Sequence, residues 1–590
     1  MLGKVEVVTQ IKKALICLVF LCFSAPIASA SPEFDQIVQK YEALEEEYAP
    51  EKVEAGSRTI EIGWPDVSPE TAEAKIEDYK ALLTDLEAID ISALEEDEAL
   101  SLEILEVILK GDIERGAFDE NRLPFTGDWG FHSYVVFSVS NQSISDKETA
   151  DAIIMRLEAV PAFLKANVAN MERGLETGFV SYEDPLATVI EQMEVLVADE
   201  PEDSPLYTPF LNLPNHMSDE DKDDVRARAK VAVAEALEEL NTTLTFLKED
   251  YAPNTREKAG IVDLPEAEAY YQALVSYHTT LPDMTPEDVH EIGLAEVERI
   301  RSEMDAIIQE VEFEGTFEEF LVFLRTDPQF YAQTPEELMA AASRLSKDID
   351  YQMPAFFGHL PRLPYGVEPV PDQIAPGYTT GRYISGSMED GKAGAYWVNT
   401  YALDQRPLYE LPALTAHEAV PGHHHQISIA QELRDVPKFR RTYYATAFGE
   451  GWGLYSETLA GEMGLYDDPY KRFGKLSYEM WRACRLVADT GLHSYGWSRE
   501  EAEACFLENS ALSPLNIETE VTRYIGWPGQ ALGYKIGELK ILELRQRAED
   551  KLGTDFDIRE FHDLVLEKGA LPLAVLERRV DEWIEDQMAE

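Results

Sequence analysis

Four of the 11 histidines of the chain lie in the segment Thr415-Ala-His-Glu-Ala-Val-Pro-Gly-His-His-His-Gln426. A His-Glu pair on a helix that follows a strand is typical of zinc peptidases. In those enzymes the second histidine comes four residues later, on the same helical face, and the glutamate acts as general base. Here the position four residues after His417 is occupied by Pro421. The segment therefore predicts a metal site on an interrupted helix.

The position of the proline determines which histidine can join His417. On an unbroken helix His423 would point about 240° away from His417, at roughly 100° per residue. Pro421 disfavours helical geometry at the residue before it, and Gly422 can adopt whatever turn is required. We therefore predict a two-residue bulge at Pro421-Gly422 that places His423 beside His417.

The two remaining histidines are weaker candidates for the metal. On an unbroken helix His424 would share the face of His417 but lie about 10 Å along the axis, too far to share one ion. His424 is thus the second choice, and His425 is expected to pack or to support the ligands. The alternative for the whole cluster is a histidine-rich turn that binds metal adventitiously or caps a helix.

A third ligand is expected from the segment Phe448-Gly-Glu-Gly-Trp-Gly-Leu-Tyr-Ser-Glu457. It places Glu450 27 residues after His423, a distance from which a helical hairpin can return a carboxylate to the metal. Glu457 follows two turns later on the same face, where it can support Glu450 or replace it. The alternative for Glu450 is a surface acid paired with a cation.

Two further segments offer groups for catalysis. Arg485, Asp489 and His493 recur at four-residue spacing on one helical stripe. An Asp–His pair can orient an imidazole, although a buried polar network between helices is the alternative. Tyr534 follows a Pro-Gly interruption, and a phenol can donate to the oxyanion of a tetrahedral intermediate. The alternative for Tyr534 is a core position.

The rest of the chain has a helical pattern. From residue 32 to about 254, and again from Leu411 onward, apolar residues recur every three or four positions. Thr285-Pro-Glu-Asp has the residues of a helix start, and the prolines between 354 and 376 predict irregular or extended chain. The best strand candidate is Gly394-Ala-Tyr-Trp-Val-Asn-Thr-Tyr401. We predict a mainly α fold with a small β-sheet next to the metal-site helix.

The charge balance excludes some classes of partner. The 590 residues contain 51 Lys+Arg and 112 Asp+Glu, a formal net charge of −61. So negative a surface should repel nucleic acid and anionic lipid. The charge is expected to form a solvated surface or, as the alternative, a field that attracts cationic substrates.

The amino terminus has the layout of a secretory signal peptide. Lys12 and Lys13 precede an apolar run over residues 14–23, and small residues end at Ala30, the predicted cleavage position. No other segment approaches the length of a membrane span, so we expect an exported protein without a membrane anchor. Of the four cysteines, Cys484 and Cys505 would remain, as one disulfide or as two buried thiols.

Four motifs in the same order resemble the bacterial domain-of-unknown-function family 885. They are His-Glu-Ala-Val-Pro-Gly-His-His at 417–424, Glu-Gly-Trp-Gly-Leu-Tyr at 450–455, Asp-Thr-Gly-Leu-His at 489–493 and Pro-Gly-Gln-Ala-Leu-Gly-Tyr-Lys-Ile-Gly at 528–537. The family is similar to helical zinc peptidases of the thimet oligopeptidase, angiotensin-converting enzyme and Taq-type carboxypeptidase kind. The resemblance implies a gluzincin-like helical body around a deep channel, and short peptides as substrates. The Pro-Gly insertion departs from those peptidases.

These observations predict an exported zinc metallopeptidase with a signal peptide over 1–30, an N-terminal helical region over 31–260 and a helical catalytic region over 261–590. His417, His423 and Glu450 are expected to bind Zn²⁺ and leave one position for water. Glu418 is the expected general base that takes the proton of the attacking water.

Tyr534 or His493 is expected to donate to the oxyanion, and the strand around Tyr396–Asn399 to pair with extended substrate. Endo-, carboxy- and dipeptidyl cleavage all remain open. The rival hypotheses are a non-catalytic metal- or peptide-binding protein and a metal-dependent hydrolase of non-peptide amides.

Overall fold

The computed structural model describes residues 31–56, 58–127, 129–372, 375–388 and 391–589. The predicted signal peptide and its cleavage position after Ala30 lie outside these residues. Within them the protein is mainly helical, with two small sheets, which confirms the predicted fold class. No helix in this part of the chain is both long enough and apolar enough to cross a membrane.

Helices occupy most of the chain up to residue 356. In chain order they are α1 Pro32–Glu47, α2 Pro69–Glu87, α3 Glu96–Gly116, α4 Phe131–Ser140, α5 Lys147–Glu158, α6 Val160–Thr177, α7 Glu183–Leu196, α8 Thr208–Leu211, α9 Asp219–Phe246, α10 Ala267–Thr279, α11 Pro286–Glu310, α12 Phe317–Thr326 and α13 Pro335–Phe356. An antiparallel hairpin, β1 Lys52–Ala55 with β2 Arg58–Glu61, lies between α1 and α2.

The start of α11 shows why these helices begin where they do. The Thr285 side chain accepts the Asp288 N–H, and the Asp288 carboxylate accepts the Thr285 N–H in return. Pro286 occupies the first helical position, where its missing N–H costs no hydrogen bond. The predicted helix start is confirmed.

A three-stranded sheet precedes the histidine-rich segment. Its strands are β3 Tyr365–Pro369, β4 Gly381–Ile384 and β5 Gly394–Val398, in the order β3-β5-β4. Strand β5 confirms the predicted strand, but it is the central one, parallel to β3 and antiparallel to β4. The expectation that the strand around Tyr396–Asn399 pairs with substrate is therefore wrong, because both of its sides already have a partner. The edge strands are β3 and β4.

The proline-rich region was predicted to be irregular or extended chain. Residues 365–369 are extended and form β3, since β5 supplies their hydrogen bonds. Only Pro354 departs from the prediction, because it lies inside the last turn of α13.

The remaining helices follow the sheet and hold the candidate site. They are α14 Leu411–Glu418, α15 His423–Gln431, α16 Lys438–Thr442, α17 Thr446–Glu462, α18 Pro469–His493, α19 Arg499–Asn509, α20 Pro514–Gly526, α21 Leu532–Leu552, α22 Ile558–Leu566 and α23 Leu573–Ala589. Cys484 of α18 and Cys505 of α19 form a disulfide. The largest hydrophobic core joins residues of α1–α3 to residues of α17, α21 and α23.

Helices α17 and α21 approach each other closely because glycines face each other at the contact. A Cβ on Gly451 would lie 2.5 Å from the carbonyl carbon of Gly537, and a Cβ on Gly537 would overlap the carbonyl oxygen of Ala447. Neither backbone can retreat without moving a whole helix. The position of α17, which carries the candidate ligand Glu450, therefore depends on these two glycines.

We expect Gly537→Ala to destabilise the protein by about 1–3 kcal/mol, the usual cost of overpacking a core. The measurement is the fall in Tm by calorimetry. Gly366→Ala is the matched control, since a Cβ there meets no atom within 4 Å. An unchanged Tm for Gly537→Ala would mean that the α17–α21 contact is looser than described.

Candidate metal centre

The helix break lies between α14 and α15. Gly422 N–H donates to the carbonyl oxygen of Ala416, six residues earlier, at 3.0 Å. An uninterrupted α-helix would join residues four apart, so the chain accommodates two extra residues here. The break brings the rings of His417 and His423 to 4.7 Å between centroids, as the predicted bulge requires.

Helix α17 holds this break in place. The indole N–H of Trp452 donates to the carbonyl oxygen of Pro421 at 2.7 Å, and the Trp452 side chain is fully buried. One residue further on, a Cβ on Gly453 would lie 2.6 Å from Cε1 of His417. The Gly-Trp-Gly sequence thus fixes the turn and leaves room for the first histidine.

The structure brings together His417, His423 and Glu450. Each offers one ligand atom, and the three atoms lie within 4.8 Å of one another. Both Nε2 atoms are 3.5 Å from Oε2 of Glu450. Two ligand atoms bound tetrahedrally to zinc at its usual bond lengths lie about 3.4 Å apart. Two imidazoles and one carboxylate at this spacing fit a zinc ion with a fourth position open.

Glu457 supports the first histidine from behind. Its Oε1 lies 2.8 Å from Nδ1 of His417, and both side chains are buried. Because Glu457 holds a proton on Nδ1 of His417, Nε2 is the ring nitrogen that faces Glu450 and is available to a metal ion. Arg482 lies 3.6 Å from the same carboxylate oxygen, and the Tyr466 hydroxyl donates to the Glu457 carbonyl at 2.5 Å.

The electrostatics of the cluster favour positive charge. Burial lowers the pKa of His417, but the carboxylates of Glu450 and Glu457 outweigh burial and raise that pKa to about 9. Burial likewise opposes ionisation of Glu450, yet His423 and His417 hold its pKa well below the usual range. The carboxylates therefore make a cation stable at this buried position.

Glu418 is oriented by the edge strand β4. Its Oε2 accepts the backbone N–H of Tyr383 at 2.7 Å, and its negative charge contributes to the raised pKa of His417. The candidate general base is thus half-buried beside the cluster and fixed by a main-chain donor.

His424 and His425 are not members of the cluster. Nδ1 of His424 lies 3.0 Å from the Tyr383 hydroxyl, and burial lowers the pKa of His424 to about 4. His425 is fully buried with its ring 4.5 Å from that of Phe357. His424, the second-choice ligand, therefore contacts Tyr383 of strand β4, and His425 packs in the core.

His493 does not have the expected catalytic geometry. Its Nδ1 accepts the Ile261 N–H at 3.2 Å, and its Nε2 lies 3.0 Å from the Tyr524 carbonyl oxygen, to which it donates. Asp489 does not orient it, since that carboxylate accepts from the Tyr271 hydroxyl and the Gly529 N–H. The prediction that His493 donates to the oxyanion is wrong, because both of its ring nitrogens already bind backbone groups. These contacts form the predicted alternative, a buried polar network between helices.

Two tyrosines lie near the cluster, Tyr444 in contact with Glu450 and Tyr534 close to Tyr444. The Tyr444 hydroxyl donates to Oε1 of Glu450 at 3.1 Å. Burial and the charges of Glu450 and Tyr534 together raise the pKa of Tyr444 well above its usual value. Within the described chain the hydroxyl of Tyr534 has no hydrogen-bond partner. Sequence reasoning missed Tyr444, because nothing in its local pattern separates it from a core tyrosine.

Most of the chain matches the model of one protein family. A profile of the bacterial proteins of unknown function DUF885 matches residues 51–580. The chain belongs to this family. Among curated proteins none matches the chain.

Two solved structures have the same overall fold as this chain. A proposed lipoprotein from Colwellia psychrerythraea has 27% sequence identity and a TM-score of 0.84, over 94% of this chain and 99% of that one. A proposed lipoprotein of unknown function from Shewanella oneidensis has 16% identity and a TM-score of 0.71, over 93% and 99%. The second likeness is evidence for the fold alone.

We expect His423→Ala to lose zinc and His424→Ala to keep about one zinc ion per chain. Of these two histidines, His423 is the one that faces Glu450. Metal content after dialysis, measured by elemental analysis, checks this. Circular dichroism serves as the folding control for both variants. The reverse result would place the second ligand at His424 and shift the bulge by one residue.

Proposed function

We propose that this DUF885 protein is an exported zinc-dependent peptidase that hydrolyses short peptides. The observation that carries the proposal is the placement of His417, His423 and Glu450 at tetrahedral spacing, with Glu418 oriented beside them. The Glu457 carboxylate at the back of His417 is the support that a metal-binding histidine needs. A pure metal store has no use for an oriented carboxylate that is not itself a ligand.

His417, His423 and Glu450 would hold the ion. A bound zinc ion supplies a Lewis acid that makes water a nucleophile near neutral pH. Glu418 accepts the proton of the attacking water and later donates it to the leaving amine. The Tyr383 N–H keeps the Glu418 carboxylate in one orientation during this transfer.

Two phenols are available for the oxyanion. Tyr534 has a free hydroxyl among the described residues, and Tyr444 is already hydrogen-bonded to Glu450. Tyr444 stays a neutral donor to Glu450, since the pKa of Tyr444 is raised well above its usual value. We therefore keep Tyr534 as the candidate donor and add Tyr444 as a group that positions Glu450.

The edge strand β4 favours peptides as substrates. It is paired with β5 on one side only, and the N–H of Tyr383 on its other side points to Glu418. An extended peptide that lies along this edge would pass next to the general base. Strand β4 therefore replaces the strand around Tyr396–Asn399 as the proposed partner of an extended substrate.

Export is supported by three separate observations. Residues 1–30 have the layout of a signal peptide. The Cys484–Cys505 disulfide is typical of proteins in oxidising compartments. The solved relative from Colwellia psychrerythraea is named as a proposed lipoprotein. We propose a periplasmic or secreted location after cleavage at Ala30, with no nucleic-acid partner.

We expect Glu418→Gln to keep zinc and to lose hydrolysis of a peptide mixture by at least about 100-fold, because the general base is removed while the three ligands remain. Mass spectrometry of the digested mixture and metal analysis of the same sample provide the two readouts. Glu336→Gln, the same change at an exposed position in the first turn of α13, serves as the control. Undiminished cleavage by Glu418→Gln would contradict the mechanism.

The rival functions are separated by substrate and chelator. The wild-type protein is incubated with oligopeptides and with small non-peptide amides, with and without a chelator. Chelator-sensitive cleavage of peptides supports the proposal, and cleavage of small amides alone supports an amide hydrolase. Peptide binding without any cleavage would instead indicate a binding protein.

A further inference from the structure

Two arginines beside Tyr534 share a single carboxylate. Nη2 of Arg485 lies 3.1 Å and Nη1 of Arg523 3.3 Å from the same oxygen of Glu520. The Tyr524 hydroxyl donates to that oxygen as well, at 2.7 Å. Arg523 also donates to the neutral side chain of Gln530. Two positive charges therefore face one negative charge.

Arg485 has a donor without a partner. The residue is only 3% exposed, and within the described chain its Nη1 makes no hydrogen bond. Its guanidinium lies between aromatic rings, 4.7 Å from Trp481 and 4.3 Å from Tyr534. A buried charged donor left unpaired is costly. The site is therefore built to receive an acceptor.

Asp489 does not supply the missing negative charge. Its carboxylate is occupied by the Tyr271 hydroxyl and the Gly529 N–H. Burial raises the pKa of Asp489 to about 7, although the charge of Arg523 acts in the opposite direction. The oxygens of Asp489 are thus taken by neutral donors, and Nη1 of Arg485 is left without an acceptor among the described residues.

The arginine pair lies close to the metal centre. Arg482 and Arg485 are three residues apart on α18, about 5 Å along the axis, and both lie 4.7 Å from the Trp481 ring. Arg482 contacts Glu457, the carboxylate that supports His417. Arg485 is therefore one helical turn from Arg482, which Glu457 connects to the candidate ligand His417.

We propose that Arg485 and Arg523 bind the C-terminal carboxylate of the peptide substrate, so that the enzyme cleaves at a fixed distance from that end. This inference rests on the proposed peptidase function. A guanidinium matches a carboxylate in shape and charge, and the hydrogen bonds are charge-assisted. Tyr534 stacks on Arg485 and interacts electrostatically with Tyr444, the hydrogen-bond partner of Glu450. The protein is thus a carboxypeptidase or a peptidyl-dipeptidase rather than an endopeptidase.

The test compares one peptide as free acid and as C-terminal amide. We expect the zinc-loaded enzyme to prefer the free acid by about 10- to 100-fold in kcat/KM, mainly through KM. Products from peptides of increasing length should share one C-terminal fragment length, as measured by mass spectrometry. Arg523→Gln, at a partly exposed position, should abolish the preference, and Arg523→Lys should retain part of it. Arg301→Gln is the control, since Arg301 lies on α11 and is hydrogen-bonded to Asn509.

Binding is measured separately from turnover. The Glu418→Gln protein is titrated by calorimetry with the free acid and with the amide, and only the free acid should bind tightly. Equal cleavage or equal binding of acid and amide would overturn the inference while leaving the peptidase intact. An amidated peptide ending in glutamate that binds as tightly as the free acid would also overturn it. Tight binding of the free acid with no cleavage by the wild type would instead support the subsite and contradict the proposed function.

Discussion

The candidate site depends on one hydrogen bond, from the indole of Trp452 to the carbonyl of Pro421. An interrupted helix exposes main-chain groups that need partners, and here a buried tryptophan from another helix supplies one. The same helix carries Glu450 and Glu457. The turn that presents His423 and the carboxylates that meet the histidines are therefore held by a single rigid element, and none of the three can shift alone.

Helix α17 connects the candidate metal centre to the hydrophobic core. One of its faces contacts α21 through glycines, and the opposite face leaves room for the ring of His417. The distance between the two histidines and Glu450 is thus set by core packing as well as by the local turn. Such a site is preorganised, since its ligands lie within a few ångström of one another before any ion binds.

Local rules predicted the parts of the structure that local rules control. The angular step of a helix, together with Pro421 and Gly422, was sufficient to select His423 over His424. The capping residues of α11 were sufficient to place its start. The failures have a different origin, because strand order and buried networks depend on remote residues. Asp489 and His493 do share a helical stripe, but Tyr271, Ile261 and Tyr524 come from elsewhere and occupy them. Tyr444 and the N–H of Tyr383 carried no local signal at all.

The Trp452–Pro421 contact also changes how sites of this kind should be sought in genomes. A pattern that demands two histidines four residues apart would pass over this chain. Its most informative marks are uncharged: a proline and a glycine between the histidines, and a tryptophan flanked by glycines some thirty residues later. A search based on these steric residues would retrieve proteins whose histidines are spaced unlike those of the uninterrupted motif.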